Sequence, residues 1–294
     1  MEPRRPARED VVAIDIHVHA EIGSDGRDNL GAELRGALDR YFRRPGALPS
    51  IDQIADHYRE LHMMAVVFGV DAALTTGQPR IPNGEVIEAA QRHPDVLIPF
   101  ASVDPRRGAD GLAEVRDLIS TGLVRGFKFH PNLQRFRAND PVAYPIYEAI
   151  SEAGLVALFH TGHTGVGAGL PGGGGVRLRL GHPMDIDDVA VDFPGLPIVM
   201  AHPGFPWQDE AISVALHKPQ VSIDLSGWSP HLLPPELLRH AGRRLRDQIL
   251  FGSDYPLISP ERWLAEFAEL EIEPEARYRI LRDNAARLLR LWAA

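Results

Sequence analysis

Histidine and aspartate recur at the carboxyl ends of short apolar segments in this sequence. The first segment ends in His17 and His19, and later ones end in His160, His202 and Asp254. Alternate residues of a β-strand face the same side, so the side chains of His17 and His19 converge if their segment is a strand. Imidazole nitrogens with a carboxylate oxygen are a common ligand set for catalytic zinc. The sequence therefore predicts one divalent metal ion, zinc or alternatively manganese, with four ligands: His17, His19, His160 and Asp254.

His202 and Asp254 are the candidate catalytic residues. A divalent metal lowers the pKa of water toward ~7 and polarises a carbonyl group. Imidazole exchanges protons near neutral pH, so His202 is expected to act as acid and base, with metal ligation as its alternative role. Asp254 is expected to serve both as a ligand and in catalysis. The predicted chemistry is an attack of water on a carbonyl, or a lyase reaction at the same metal.

Five further residues are candidates for contact with a substrate: Lys128, His130, His163, Arg177 and Trp228. Lys128 and His130 end the fourth apolar segment, where a lysine could bind a carboxylate, contribute to a second metal site or form an internal ion pair. His163 and Arg177 lie in a glycine-rich segment, where a guanidinium suits a carboxylate or phosphate unless it is simply solvated. Trp228 follows the seventh segment and is expected to wall a pocket for an organic substrate.

Apolar, β-branched segments alternate along the chain with segments of helical period. The predicted strands are residues 11–19, 65–70, 96–102, 126–130, 155–160, 196–202, 221–225 and 248–254. The predicted helices are residues 51–62, 83–93, 108–120, 144–152, 184–192, 207–217 and 235–241. Eight such units predict an α/β fold of the (β/α)8 TIM-barrel type. The carboxyl ends of the strands ring the active site in that fold, which would bring the candidate residues together.

Three features refine the expected fold. An open, doubly wound sheet is the alternative, but no Gly-x-Gly-x-x-Gly sequence follows the first strand. Residues 161–181 show neither helical nor strand periodicity, which predicts a long loop after strand five. The apolar stripe of residues 275–292 predicts a carboxyl-terminal helix packed on the barrel. We expect a single domain over residues 1–294, with residues 1–10 as a polar amino-terminal arm.

The composition limits the classes of function. The 294 residues are 44% hydrophobic, which supplies a globular core and excludes a disordered chain. The formal charge of -9 argues against general binding to nucleic acid, and no apolar stretch reaches the ~18 residues of a membrane span. The absence of cysteine excludes a thiolate site and fits a cytoplasmic protein. The expected partner is a small-molecule substrate, and a homodimer is compatible with the sequence.

A set of motifs spread over residues 11–291 resembles one known family. The motifs are IDIHVHA, GFKFHP, LFHTGHTG, MAHPG, LFGSDYP and ILRDNAARLL. In this order they are similar to the amidohydrolase-2 group of the amidohydrolase superfamily, which includes aminocarboxymuconate semialdehyde decarboxylase. The resemblance implies a distorted (β/α)8 barrel and one divalent metal, usually zinc, at positions matching His17, His19, His160 and Asp254. It also implies that His202 is the acid/base residue.

Three loop motifs resemble a narrower subgroup. GAGLPGGGGVRL, HPGFPWQDEAISVALHKP and DLSGWSP look similar to 4-hydroxyphenyl-β-ketoacyl-CoA hydrolases. That resemblance implies cleavage of an aryl β-keto thioester at its ketone, with release of an aromatic acid. The wider family also includes decarboxylases, hydratases, lactonases and ester hydrolases, so the fold and the metal do not by themselves select a reaction.

We therefore expect a metal-dependent hydrolase that uses metal-activated water on a carbonyl of a small organic acid, ester or β-keto thioester. The alternative is a metal-dependent, non-oxidative decarboxylase of an aromatic or unsaturated acid. Some decarboxylases of the group replace the first histidine of the H-x-H pair by glutamate, whereas this chain keeps His17. A third hypothesis, a barrel that binds a metal or ligand without catalysis, is disfavoured by the intact set of strand-end ligands.

Overall fold

A single parallel sheet of eight strands organises the molecule. The computed structural model describes residues 6–44 and 46–292. Each strand pairs with the next one along the chain, in the order β1 to β8. The strands are β1 (Ala13–His19), β2 (Met63–Phe68), β3 (Leu97–Ala101), β4 (Gly126–Phe129), β5 (Val156–His160), β6 (Ile198–Ala201), β7 (Val221–Asp224) and β8 (Ile249–Leu250). This order confirms the predicted TIM barrel, and all eight predicted strands are present.

The barrel is brought nearly to closure by hydrogen bonds between β1 and the residues that follow β8. The amide of Ile16 donates to the carbonyl of Phe251 at 3.0 Å, and the amide of Asp254 donates to the carbonyl of His17 at 3.1 Å. Strand β8 itself has only two residues, where the sequence predicted seven. The segment after it leaves the regular ladder: the amide of Phe251 donates to the carbonyl of Ile280 at 2.9 Å, and Asp254 has a left-handed backbone with φ at 71°.

Helices alternate with the strands along the chain. They are α1 (Ala32–Phe42), α2 (Ile51–Glu60), α3 (Ala73–Thr76), α4 (Asn83–Arg92), α5 (Ala109–Ser120), α6 (Pro131–Gln134), α7 (Tyr144–Glu152), α8 (Met184–Asp192), α9 (Gln208–His217), α10 (Pro235–Ala241), α11 (Pro260–Ala268), α12 (Pro274–Tyr278) and α13 (Asn284–Leu288). The seven predicted helices are all present. The sequence prediction missed α1, α3, α6 and α11, of which α3 and α6 are single turns.

The side-chain alternation of the strands separates the two largest apolar clusters of the core from each other. In β2, the side chains of Met64, Val66 and Phe68 join one cluster, and those of Met63 and Val67 join another. The second cluster includes buried residues of the surrounding helices, so it lies between the sheet and the helices. The first cluster therefore fills the inside of the barrel, as packing of alternate strand residues requires.

The carboxyl-terminal segment packs against the barrel, as predicted. It runs from α12 through a π-helical segment at Arg279–Asp283 into α13. Ala285 and Leu289 belong to the inner apolar cluster. The side-chain amide of Asn284 donates to the carbonyls of Arg246 and Ile249 at 2.8 Å each, which joins the helix to the start of β8.

The long segment after β5 contains only short 3-10 turns, at Pro171–Gly175 and Leu178–Gly181. Gly172, Gly173 and Gly174 all have φ values near +60°, a conformation that side chains with a Cβ rarely adopt. Of the predicted amino-terminal arm, residues 1–5 lie outside the described residues. None of the helices in the described ranges combines the length and the apolar character needed to cross a membrane.

Candidate metal centre and active site

The candidate residues meet at the carboxyl end of the barrel. His17 and His19 belong to β1, Lys128 to β4 and His160 to β5, while His202 and Asp254 follow β6 and β8. Parallel strands that close into a barrel bring these ends into one ring, although the residues are far apart in sequence. All of these side chains are buried except that of His19, which is 12% exposed.

Three donor atoms converge on one point. The Nε2 atoms of His17 and His19 are 3.1 Å apart. Oδ1 of Asp254 lies 3.3 Å from the first and 3.1 Å from the second. Ligand atoms around a tetrahedral zinc ion, each at ~2.0–2.1 Å from the metal, are about 3.3 Å from one another. The separations of these three atoms fit a shared divalent metal.

Two neighbours set the ring orientation of His17. Its Nδ1 atom is 3.0 Å from Oδ2 of Asp224 and 3.0 Å from Oγ of Ser226. A carboxylate accepts only, so this contact assigns the proton of the ring to Nδ1 and leaves the lone pair on Nε2. Histidine ligands of metals are commonly held in this way by a carboxylate partner. Asp224 therefore prepares His17 to bind a metal through Nε2.

The hydrogen bonds of His202 assign the state of His160. Nδ1 of His202 is 2.9 Å from the carbonyl of Ser226, so Nδ1 carries the proton and Nε2 accepts. That Nε2 atom is 3.0 Å from Nδ1 of His160, which must then be the donor. Nε2 of His160 is left with a lone pair, and within the described residues it is buried without a hydrogen-bond partner. Because this lone pair has no hydrogen-bond partner, Nε2 of His160 is available as a further ligand atom for a metal.

His130 packs directly on His160. Their rings are stacked at 3.9 Å between centroids, with an angle of 8° between the planes. His17 and His202 are also neighbours, with ring centroids 4.9 Å apart. The stacking fixes the plane of the His160 ring, so His130 supports this part of the site in addition to lining the cavity described below.

Burial controls the protonation of the histidines. It holds the pKa of His17, His130 and His160 well below the ordinary value of 6.5 and lowers the pKa of His202. The positive charge of Lys128 lowers all four values further. The imidazoles are therefore neutral, which is the form that binds metals.

The carboxyl group of Asp254 is held in its ionised form. Burial raises its pKa, but the hydrogen bond to His19 and the electrostatic interactions with the imidazoles of His17 and His202 outweigh burial and hold the pKa well below its ordinary value. Asp254 is therefore a carboxylate, as a metal ligand must be.

The amine of Lys128 lies beside the three donor atoms. Its Nζ atom is 3.0 Å from Nε2 of His17 and 4.9 Å from the centre of the Phe68 ring. Burial lowers the pKa of Lys128 to about 7. Lys128 is not among the residues that line the cavity, so its amine contacts His17 from inside the barrel.

Two of the site residues have strained backbones. His202 and Asp254 have φ values of 72° and 71°, which non-glycine residues rarely adopt. Such strain is typical of functional sites, where it fixes the direction of a side chain. Gly227 lies against both residues, because a Cβ placed on it would be 2.7 Å from Nδ1 of His202 and 3.1 Å from Oδ2 of Asp254. Only glycine fits between these side chains.

A cavity of about 680 Å³, its open mouth included, leads from the surface to the donor atoms. His19, His160, His202 and Asp254 lie among the residues that line it. Its other walls are largely apolar: Leu30, Leu38, Phe42, Val70, Leu133, Val166 and Leu257. Such a lining suits the apolar part of a small organic molecule.

The structure brings most of the predicted substrate contacts to this cavity. His130, His163 and Trp228 line it. Nε2 of His163 is 3.2 Å from the hydroxyl of Tyr41, a second aromatic residue of the wall. Arg177 is exposed and lies outside the cavity lining, between the two 3-10 turns of its loop.

Several residues of the site were missed by the sequence analysis. Asp224 ends β7 just as the histidines end their strands, so its position was a usable signal. Ser226 and Gly227 follow it in the motif DLSGW and gave no such signal, because a serine or glycine in a loop is common. Asn29 also lines the cavity, and its loop after β1 has no regular period.

The family of the chain follows from a comparison with known families. The amidohydrolase family model Amidohydro_2 matches residues 14–291. The chain belongs to the amidohydrolase family. A search of curated protein sequences found no significant match.

Several solved structures resemble almost the whole chain in fold. An uncharacterised TIM-barrel protein, Bb4693 from Bordetella bronchiseptica, is 23% identical with a TM-score of 0.75, and the match covers 95% of this chain and 98% of that one. The 5-carboxyvanillate decarboxylase of Sphingomonas paucimobilis is 16% identical with a TM-score of 0.64, covering 95% and 98%. A dihydroxybenzoic acid decarboxylase from Polaromonas sp. JS666, with bound manganese and the inhibitor 2-nitroresorcinol, is 14% identical with a TM-score of 0.63, covering 97% and 98%. At these identities the matches establish the fold.

One cluster of this amidohydrolase barrel has the arrangement that a metal ion requires. His17, His202 and Asp254 each bring a ligand atom within 4.8 Å of the others, and all three are buried. Neutral nitrogen donors and a carboxylate suit zinc or manganese. The cluster can therefore bind a divalent metal.

Proposed function

We propose that the chain is a metal-dependent hydrolase that acts on a carbonyl group of a small organic substrate. One observation carries the proposal. Two proton-handling groups, the imidazole of His202 and the carboxylate of Asp254, lie within 4.8 Å of each other and of His17 at the bottom of an open cavity. Hydrolysis needs two proton transfers, one from water and one to the leaving group, and an imidazole beside a carboxylate at this point is placed to make both.

The proposed ligands are His17, His19 and Asp254, whose donor atoms converge, together with His160 through its unpartnered Nε2 atom. Zinc, or alternatively manganese, would acidify water and polarise the substrate carbonyl at this site. Asp224 keeps the lone pair of His17 on Nε2, and Ser226 keeps that of His202 on Nε2. To take a proton, Nε2 of His202 must release the hydrogen bond that it accepts from Nδ1 of His160, and it then returns the proton to the leaving group.

An aryl β-keto thioester is the narrower substrate class that we propose. The support is the resemblance of the loop motifs and the largely apolar cavity, which suits an aromatic ring. In this reaction water adds to the ketone carbon, and the bond from that carbon to the α-carbon breaks. An aromatic acid leaves, and the α-carbon takes a proton to give an acyl thioester. His202 is the group that we expect to move this proton.

The first test combines metal content with one variant. We expect about one zinc or manganese per chain by metal mass spectrometry, retained in His202→Ala but lost in His19→Ala. Turnover of an aryl β-keto thioester should fall ~10²-fold or more in His202→Ala. His217→Ala, at the exposed end of α9, is the control and should match the wild type. Near-normal turnover in His202→Ala would overturn the role of His202.

The second candidate function is a non-oxidative decarboxylase of an aromatic or unsaturated acid. It is favoured by the resemblance of the fold to decarboxylases of 5-carboxyvanillate and of dihydroxybenzoic acid. Isotopes in the solvent separate the two reactions. In H₂¹⁸O a hydrolase must place label in the released acid, whereas a decarboxylase run in D₂O releases carbon dioxide and places deuterium on carbon. Unlabelled acid in the first experiment would exclude hydrolysis.

A further inference from the structure

Asn29 has an unpartnered side chain in the wall of the cavity. The residue is 6% exposed, and its Oδ1 atom is buried without a hydrogen-bond partner among the described residues. A buried acceptor without a partner is unfavourable, and native proteins usually retain one where a ligand completes it. Asn29 lines the same cavity as His19 and Asp254, so one ligand could reach both the donor atoms and the amide.

The loop that carries Asn29 is held rigidly. It begins at Glu21 and turns back on itself, with an antiparallel bridge between Ile22 and Asp28. Arg35 of α1, itself 8% exposed, forms ion pairs with Glu21 and Asp28. The amide is therefore held in place before any ligand arrives, which is the arrangement that makes a polar contact selective.

The charge of the cavity narrows the ligand further. Neither arginine nor lysine occurs among the described residues that line it, and the carboxylate of Glu21 in the wall is already paired with Arg35. An anionic group on the body of the substrate would therefore find no cation in the cavity wall. A hydroxyl fits Asn29 in either orientation of the amide, because it can donate to Oδ1 or accept from Nδ2.

We propose that Asn29 is a specificity-determining residue that binds a neutral hydroxyl group on the apolar body of the substrate, away from the reacting carbonyl. This inference rests on the proposed function, because it places the reacting carbonyl at His17, His19 and Asp254. The substrate class is thus a hydroxylated, largely apolar carbonyl compound without an anionic group on its apolar body.

The experiment uses aryl hydroxamates as probes, because a hydroxamate binds zinc and carries its ring into the cavity. Binding of benzohydroxamate and of its 3-hydroxy, 4-hydroxy and 4-carboxy derivatives to the zinc-loaded protein is measured by calorimetry. We expect one hydroxy isomer to bind about 5- to 10-fold more tightly than benzohydroxamate, as one added hydrogen bond allows. The 4-carboxy probe should bind more weakly than benzohydroxamate.

Variants assign the preference to Asn29. In Asn29→Leu the hydroxyl preference should disappear while benzohydroxamate still binds, and Asn29→Ser should restore part of the preference. Thr164→Val is the matched control, since it removes a different polar group from the same cavity and should keep the preference. Circular dichroism checks that each variant is folded, and Asn29→Ala replaces Asn29→Leu if the latter is not.

The outcomes separate the two proposals. If no hydroxamate binds, or if binding does not require zinc, the proposed metal-dependent function fails. If benzohydroxamate binds in a zinc-dependent manner but neither hydroxy isomer is preferred, the inference about Asn29 is overturned and the function stands. A preference for a hydroxylated probe that persists in Asn29→Leu would likewise overturn the inference about Asn29.

Discussion

The ring of His17 depends on residues that do not face the cavity. Asp224 and Ser226 both contact its Nδ1 atom at 3.0 Å, and Asp224 also accepts from the backbone amide of His202 at 3.1 Å. A single buried carboxylate thus positions two histidines of the site. Loss of a partner of this kind typically weakens metal binding about 10- to 100-fold.

Replacement of Asp224 tests this role at the residue scale. We expect Asp224→Asn to weaken zinc binding about 10- to 100-fold, because the amide no longer fixes the proton of His17 on Nδ1. Competition with a chromogenic chelator measures the affinity. Asp192→Asn, an exposed residue that accepts from Tyr144, is the control and should bind zinc normally. Unchanged affinity in Asp224→Asn would show that His17 does not depend on this contact.

A partly buried ionic network joins elements around the barrel. Glu114 of α5 accepts from Arg80 and Arg107 at 2.8 and 2.5 Å, and from the side-chain amide of Asn83 at the start of α4 at 2.9 Å. Arg80 also binds Asp71, which follows β2, at 3.1 Å. This network ties two helices to the end of a strand beside the active site.

The pH dependence of stability tests this network. Burial raises the pKa of Glu114, but Arg80 and Arg107 outweigh burial and lower it below the ordinary value of 4.5. A carboxylate with a lowered pKa stabilises the fold above its unfolded pKa, and this contribution is lost as pH falls through the folded pKa. We expect Glu114→Gln to reduce the free energy of unfolding by about 1–2 kcal/mol at pH 7.

The difference between Glu114→Gln and the wild type should shrink as the pH falls below 4.5. Denaturant unfolding at several pH values measures it. Glu88→Gln on the exposed side of α4 is the control and should behave as the wild type throughout. A difference that is the same at every pH would mean that packing rather than charge accounts for the loss.

At the scale of the whole molecule, the metal site joins both ends of the chain. His17 and His19 come from the first strand, and Asp254 follows the last. A ligand that binds these residues stabilises the closed barrel over the unfolded chain, because the unfolded chain does not keep them together.

Thermal unfolding tests this linkage. A metal at 100 times its dissociation constant adds ~2.7 kcal/mol to the stability of the folded state, so we expect zinc to raise the Tm by several degrees. The shift should vanish in His19→Ala and persist in His163→Ala, since His163 contacts Tyr41 at the mouth of the cavity. An equal shift in His19→Ala would place zinc binding elsewhere on the protein.

The sequence by itself determined the barrel and the residues at the carboxyl ends of its strands. Alternation and helical period are local signals, so they reveal β1 to β8 and most of the covering helices. Local pattern also marked His17, His19, His160, His202 and Asp254, because polar residues are unusual in barrel strands.

Only the tertiary structure decided which residues contact one another around that set. Asp224 reaches His17 across more than two hundred residues of sequence, and Asn29 reaches the cavity because Arg35 holds its loop. The exposure of Arg177 was decided in the same way, by the path of a glycine-rich loop. Strand positions follow from local periodicity, whereas loop paths and ring orientations depend on contacts between distant segments, which no local pattern encodes.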